Sequence, residues 1–160
     1  MTADELKKHI DDADKGPKKL AAAVSGLSDN MLRYKASPEK WCILEIIGHL
    51  ADVELVYGHR LRQMLAESKS TIAPMNQEDW ARNLGYLEAV PAELIAQYGL
   101  NRHHNLRLLR RIRLDDLKKS AYHPERKADV TVEELVQRLV RHDANHLAQV
   151  EALKQQAGKK

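Results

Sequence analysis

The chain predicts an all-α fold, a four-helix bundle with one long crossover connection, and three observations carry that prediction. Apolar residues recur at helical spacing in four separate segments. Aromatic residues make up only 4% of the chain, Phe is absent and β-branched residues are thin, which disfavours a sandwich or barrel. With 160 residues, 43% of them hydrophobic and 31% charged, the chain suits one domain over 1–160 with a substantial core.

The first segment opens on Thr2, whose capping-box partner is Glu5, and carries Leu6, Ile10 and Ala13 on one face. Gly16-Pro17 interrupts it before Leu20, Ala23, Val24 and Leu27 resume the stripe, so one kinked helix or two short ones end near Gly26 to Ser28. A linker, SDNMLRYKASPEK, follows. The second helix is expected from Glu39 to about Glu67, with Ser37 as N-cap, Pro38 at the first helical position and Leu44, Ile47, Leu50, Val53, Leu61 and Met64 facing inward. At 1.5 Å per residue it would be roughly 40 Å long, the span of a four-helix bundle. Ser68 to Gly85 reads as the irregular crossover, with Trp80 expected to plug a gap in the core. The third helix is placed at about Leu87 to Arg113. The fourth starts at Thr131, capped through Glu134, and runs to about Gln156, with the AGKK end fraying.

Composition narrows the function classes. The single cysteine, Cys42, cannot form an internal disulfide, which points to a reducing, cytoplasmic setting. No uncharged run reaches the length of a spanning helix, and MTADELKKHIDDADK carries no apolar signal region, so no membrane association is expected. The net charge of +3 neither demands nor excludes an anionic partner. The run RHHNLRLLRRIR places Arg102, Arg110 and Arg113 together while Arg107 and Arg111 point elsewhere. Without an interleaved aromatic platform, that run reads as a solvated helix face rather than a nucleic-acid surface.

Eight histidines are many for this length, and their positions matter more than their number. On the fourth helix the inward positions read Val132, Leu135, Leu139, His142, His146, Val150 and Leu153. Two imidazoles four residues apart share one helix face, the arrangement by which a helix offers two nitrogens to one metal ion, although such pairs also arise by chance. His49 borders the stripe of the second helix and joins them only if the two helices are neighbours. Three neutral imidazoles leave a position open for water or substrate. Glu45, one turn before His49, and Asp52, just under one turn after it, are candidate catalytic residues: each could orient an imidazole or act as a base. Asp143 and Gln149 lie near the fourth-helix histidines. Cys42, seven residues from His49, is too distant along the axis to share its ion and reads as a buried apolar residue. His59 is peripheral, some of His103, His104, Asn101, Arg102 and Asn105 are candidates for the open side of a site, and His9 and His123 are expected at the surface.

Two stretches carry a family resemblance. WCILEIIGHLADVE (Trp41 to Glu54) resembles the second-helix signature of the DinB-like superfamily, and HDANHLAQV (His142 to Val150) resembles its fourth-helix signature. HPERKADVTVEELV is similar to the segment leading into that helix in the subgroup closest to bacillithiol transferases. Motif order, spacing and length agree over nearly the whole chain. The resemblance implies metal ligation by His49, His142 and His146. The ion would be a divalent transition metal, zinc or nickel first, with manganese or iron compatible. It also implies a hydrolase, or a thiol S-transferase using a low-molecular-weight thiol, acting on a small-molecule substrate, and a homodimer. Many relatives carry a further histidine just before the last ligand, where this chain has Asn145. The rival reading is a non-catalytic metal- or ligand-binding bundle of the kind made under stress.

Overall fold

The computed structural model describes residues 1–158 and is a four-helix bundle with a small two-stranded sheet. Its first long element is split at the expected place into α1 (Ala3–Asp14) and α2 (Gly16–Val24), with Pro17 in the first turn of α2. The linker contains a single helical turn, α3 (Asp29–Leu32), capped by Ser28. The second bundle helix is α4 (Ile43–Ala66), the third α6 (Pro91–Leu109) and the fourth α7 (Val132–Ala157), which is capped by the expected Thr131–Glu134 box. Fraying of the AGKK end falls partly on Lys159 and Lys160, outside the described residues; α7 stays helical to Ala157.

Three boundaries differ from expectation. α4 begins at Ile43 rather than Glu39. Ser37-Pro38-Glu39-Lys40 closes a local turn, the Lys40 N–H donating to the Ser37 carbonyl at 3.0 Å, and the helix is capped instead by Glu45, which accepts the Cys42 N–H at 2.8 Å. α6 begins at Pro91, preceded by a 3₁₀ turn at Tyr86–Glu88 that Gly85, at φ 67°, sets up in the left-handed region. It ends at Leu109, not Arg113. The crossover contains α5 (Gln77–Asn83), capped by the Asn76 side chain, and its buried plug is Ile72, 1% exposed, whereas Trp80 is only half-buried.

The segment before α7 forms a hairpin, β1 (Ser120–His123) and β2 (Ala128–Thr131), pairing Ala121 with Val130, both buried. The crossover is tied to this hairpin: the Ile72 N–H donates to the Tyr122 carbonyl at 2.8 Å and the Tyr122 N–H to that of Ser70 at 3.0 Å. Its alternation buries His123, 8% exposed, which is therefore not at the surface; His9 is half-buried.

α4 packs against both α6 and α7, and the α1–α2 element closes the other side against the same two helices. The apolar interior falls into two clusters. One is built around Ile10, Leu61, Leu106 and Leu139, the other around Leu20, Ile47, Tyr98 and Val150. Between them, at mid-bundle, the buried side chains are polar: His49, Glu54, Arg102, Asn105, Asp143 and His146. No helix among the described residues is long and apolar enough to cross a membrane.

Candidate metal centre

α4 and α7 are neighbours, so the geometric condition on His49 is met. Its burial (1% exposed) follows from its position on a helix with apolar residues on most sides, Ile46, Ile47, Leu50 and Val53 among them. Gly48 before it is required by packing, since a Cβ there would lie 2.5 Å from the Tyr86 ring. On α7 the stripe of Leu135, Leu139, Val150 and Leu153 turns His146 inward and leaves His142 half-buried beside it.

The three rings meet nitrogen to nitrogen. His142 Nε2 lies 3.1 Å from His49 Nε2 and 3.1 Å from His146 Nε2, and the candidate ligand atoms of all three lie within 4.8 Å of one another. A ring nitrogen carries one proton or one lone pair, so His142 Nε2 cannot make two good hydrogen bonds at once. Nitrogens bound side by side to an ion at zinc-like distances sit about 3.0–3.4 Å apart, which these spacings match. His146 Nδ1 is 2.9 Å from Gln149 Oε1. Because that oxygen only accepts, Nδ1 carries the proton and Nε2 is left with a free lone pair. Burial, reinforced by the charge of His146, lowers His49 to about 3, and burial with the charges of His146 and His49 lowers His142 to about 2. His146 is also lowered by burial, against the opposing pull of Gln149 and Asp143. All three rings are therefore neutral near pH 7, the form that ligates. The donor set fits a divalent transition metal.

The carboxylates expected around the rings are engaged elsewhere. Glu45 caps α4 and accepts Lys35 Nζ at 2.7 Å. Asp52 is half-buried and accepts the Tyr86 hydroxyl at 2.8 Å and Gln97 Nε2 at 3.4 Å. Neither hydrogen-bonds His49, whose buried Nδ1 has no partner. Cys42 is fully buried, as expected. His59, His103 and His104 are exposed, so the last two do not line the site. Asn145 is exposed.

Arg102 is the largest departure. It is 1% exposed, not solvated; Arg107, Arg110, Arg111 and Arg113 are exposed as expected. Its guanidinium binds Asp143 in a two-pronged pair at 2.6 and 3.0 Å, lies 2.8 Å from Glu54 Oε1, and donates to the Ala13 carbonyl at 2.6 Å and the Tyr98 hydroxyl at 3.0 Å. Asn105 Nδ2 donates to Glu54 Oε2 at 2.9 Å. Burial works against the Arg102 charge, but Glu54 and Asp143 outweigh it and hold its pKa well above the ordinary value. Burial pushes the Glu54 carboxyl up. Asp143 thus belongs to a layer behind the imidazoles.

Trp41, known from sequence only as a motif residue, shapes the approach. Its ring centroid is 4.8 Å from that of His49 and lies nearly parallel to His146 at 6.3 Å, while its Nε1 donates to Glu78 Oε2 at 3.1 Å. A cleft of about 420 Å³ opens there, with His146, Gln149 and Trp41 on its walls and Gln77 and Glu78 contributed by the crossover. Trp41 is the site residue that helical spacing did not single out, whereas Gln149 stood near the fourth-helix histidines without an assigned role. Gln149, one turn after His146, carried the only positional signal.

Comparison with known proteins agrees with this picture. The model of the DinB superfamily matches residues 13–150. YfiT of Bacillus subtilis, named as a candidate metal-dependent hydrolase, is 25% identical over 158 residues, covering 99% of this chain and 89% of its own. A Bacillus pumilus protein named in the same way is 26% identical over 152 residues, covering 95% of this chain and 86% of its own. The solved structure of YfiT, described as a probable metal-dependent hydrolase with an unusual four-helix bundle topology, superposes with a TM-score of 0.93 over 99% of this chain and 90% of that one.

Proposed function

The chain belongs to the DinB superfamily, and from that premise we propose that it is a metal-dependent enzyme whose divalent ion is held by His49, His142 and His146. One observation carries the reading: three neutral imidazoles, those of His49 and His146 buried and that of His142 half-buried, bring Nε2 together, with His142 Nε2 3.1 Å from each of the other two. A divalent ion supplies Lewis acidity there, lowering the pKa of a water or thiol that reaches it and polarising an electrophile. The chain's own residues do the rest. Gln149 holds the His146 tautomer, Trp41 fixes the plane of His146 and shields His49, and the cleft beside them admits a small molecule. Asp52 and Glu45 are assigned positioning roles on α4: Asp52 ties the helix to Tyr86 and Gln97, and Glu45 caps its start.

Attack by water makes the reaction a hydrolysis, the activity the relatives' names suggest; attack by a low-molecular-weight thiol makes it an S-transfer. Zinc or nickel suits three imidazoles best, with manganese or iron next. The test is metal analysis of purified and reconstituted protein beside His146→Ala, followed by assays of ester and amide hydrolysis and of thiol conjugation to monobromobimane. One ion per chain in wild type, none in the variant, and turnover in one assay that disappears with the ion is the expected result. A chain that takes up no stoichiometric ion under reconstitution defeats the reading.

A further inference from the structure

One turn before His142 on α7 the surface changes character. Tyr57 stands edge-on to His142 at 6.4 Å, and its hydroxyl pKa is raised by burial. Arg60 of α4 lies near enough to Arg138 of α7 for their charges to act on each other, and a shallow opening of about 450 Å³ is lined by Arg126, Glu134, Gln137, Arg138 and Arg141. Among the described residues no carboxylate lies within ion-pair range of Arg60, Arg138 or Arg141. Arg126 reaches Glu134 only at 3.6 Å, and Glu134 already accepts the Thr131 N–H at 2.8 Å. Glu125 acts on Arg60 and His123 from the hairpin without forming an ion pair.

Donors here are also left over. Arg60 gives Nη2 to the Ala73 carbonyl at 2.8 Å, but its Nε is buried with no partner, and so is Nδ1 of His123. Arg138 is close enough for its charge to act on Tyr57, Arg60, His123 and His142 together. Clustered like charges are unfavourable, and an anion bound in the opening relieves them, while the unpaired donors mark α4 and the hairpin as a region short of acceptors. Guanidinium forks match carboxylate and phosphate oxygens in pairs.

We propose that Arg126, Arg138 and Arg141, which line this opening, form an oxyanion subsite, with Arg60 adding positive charge from α4, for the carboxylate or phosphate tail of the small molecule whose reacting end lies at the three histidines. Placing that reacting end rests on the metal-centre reading above; the subsite itself does not. Arg138 stands one turn before His142, about 6 Å along α7, so a molecule of a few heavy atoms spans both.

Calorimetric titration of reconstituted protein with inorganic phosphate, succinate and the neutral analogue succinamide, at constant ionic strength, tests this. Saturable binding of phosphate or succinate but not succinamide is expected, weakened about tenfold or more in Arg138→Gln, with the ion content of the variant unchanged. Arg107→Gln, on the exposed face of α6, should bind as wild type does. Whichever of the two anions binds identifies the tail. Absence of saturable binding, equal binding of succinamide, or an affinity in Arg138→Gln within about twofold of wild type overturns the subsite. Anion binding by a protein that takes up no metal leaves the subsite standing and defeats the metal centre, so the two failures are read separately.

Discussion

Two polar clusters are buried between the same helices, and they differ in where their atoms point. Around Arg102 the groups answer one another: cation to Asp143 and Glu54, Asn105 to Glu54, Tyr98 to the guanidinium. Only Arg102 Nε is left over on the guanidinium. Around His142 three ring nitrogens converge instead, and only His146 has its tautomer set, through Gln149. A cluster that satisfies itself needs no further partner and serves the fold; a cluster of converging ring nitrogens is complete only with a cation. The clusters are adjacent in sequence as well, Asp143 following His142 and Glu54 lying just over one turn beyond His49, so the first holds the backbone that presents the second.

If that division is right, damage to the two clusters must separate stability from metal binding. The largest effect is expected at Arg102→Met, which leaves two buried carboxylates without their cation and should lower unfolding free energy by about 3–5 kcal/mol; urea titration measures it. His146→Ala, by contrast, should leave the metal-free protein nearly as stable as wild type while abolishing ion uptake. Comparable losses from both changes would erase the distinction between the clusters. Next in size is the ion itself. Wild type at an excess of about a hundred times its dissociation constant should gain about 2.7 kcal/mol, seen as a higher Tm that a chelator reverses and that His146→Ala never shows.

The same contrast explains what the amino-acid order disclosed. The α7 histidines were legible because Leu135, Leu139, Val150 and Leu153 set the phase of the helix, and any residue in that phase faces inward. His49 was legible as a candidate, but its partnership depended on which helices lie side by side. Arg102 was not legible: in a run of arginines nothing local marks the one that is buried, because its partners Glu54 and Asp143 come from other helices. The start of α4 failed for a related reason. Ser37-Pro38-Glu39 has the chemistry of a true cap, and the helix starts later because burial of Cys42 and Ile43 and the Lys35–Glu45 pair decide it. The hairpin at 120–131 escaped because its strands are short and depend on the crossover segment at Ser70–Ile72. Helical spacing set Glu45 and Asp52 one turn either side of His49, yet that spacing could not show the cap and the tyrosine that occupy them.

A smaller effect sharpens the imidazole side alone. Gln149→Leu removes the acceptor that holds His146 Nδ1–H, and because the side chain is exposed, the fold should be unchanged. Metal affinity should fall about 10–100-fold, measured by competition with a chromophoric chelator. An unchanged affinity would mean that the tautomer needs no support from Gln149.

The finest test is the pH dependence of the metal-free protein. In the folded chain burial holds His49 near 3 and His142 near 2, while in the unfolded chain both rings take up protons near the ordinary value of about 6.5. Between those limits the unfolded state binds more protons than the folded one, so stability is full above about pH 6.5 and falls as pH falls toward 3. The slope is at most about 1.4 kcal/mol per pH unit for each ring. Urea titrations of chelator-treated wild type between neutral pH and about pH 5 measure it, and His142→Phe, which removes one of the two rings, should show a shallower slope than wild type. Equal slopes in the two proteins would mean that His142 protonates as easily folded as unfolded. Its ring would then be wet and turned from its neighbours, and the contrast with the closed Arg102 cluster would lose its physical basis.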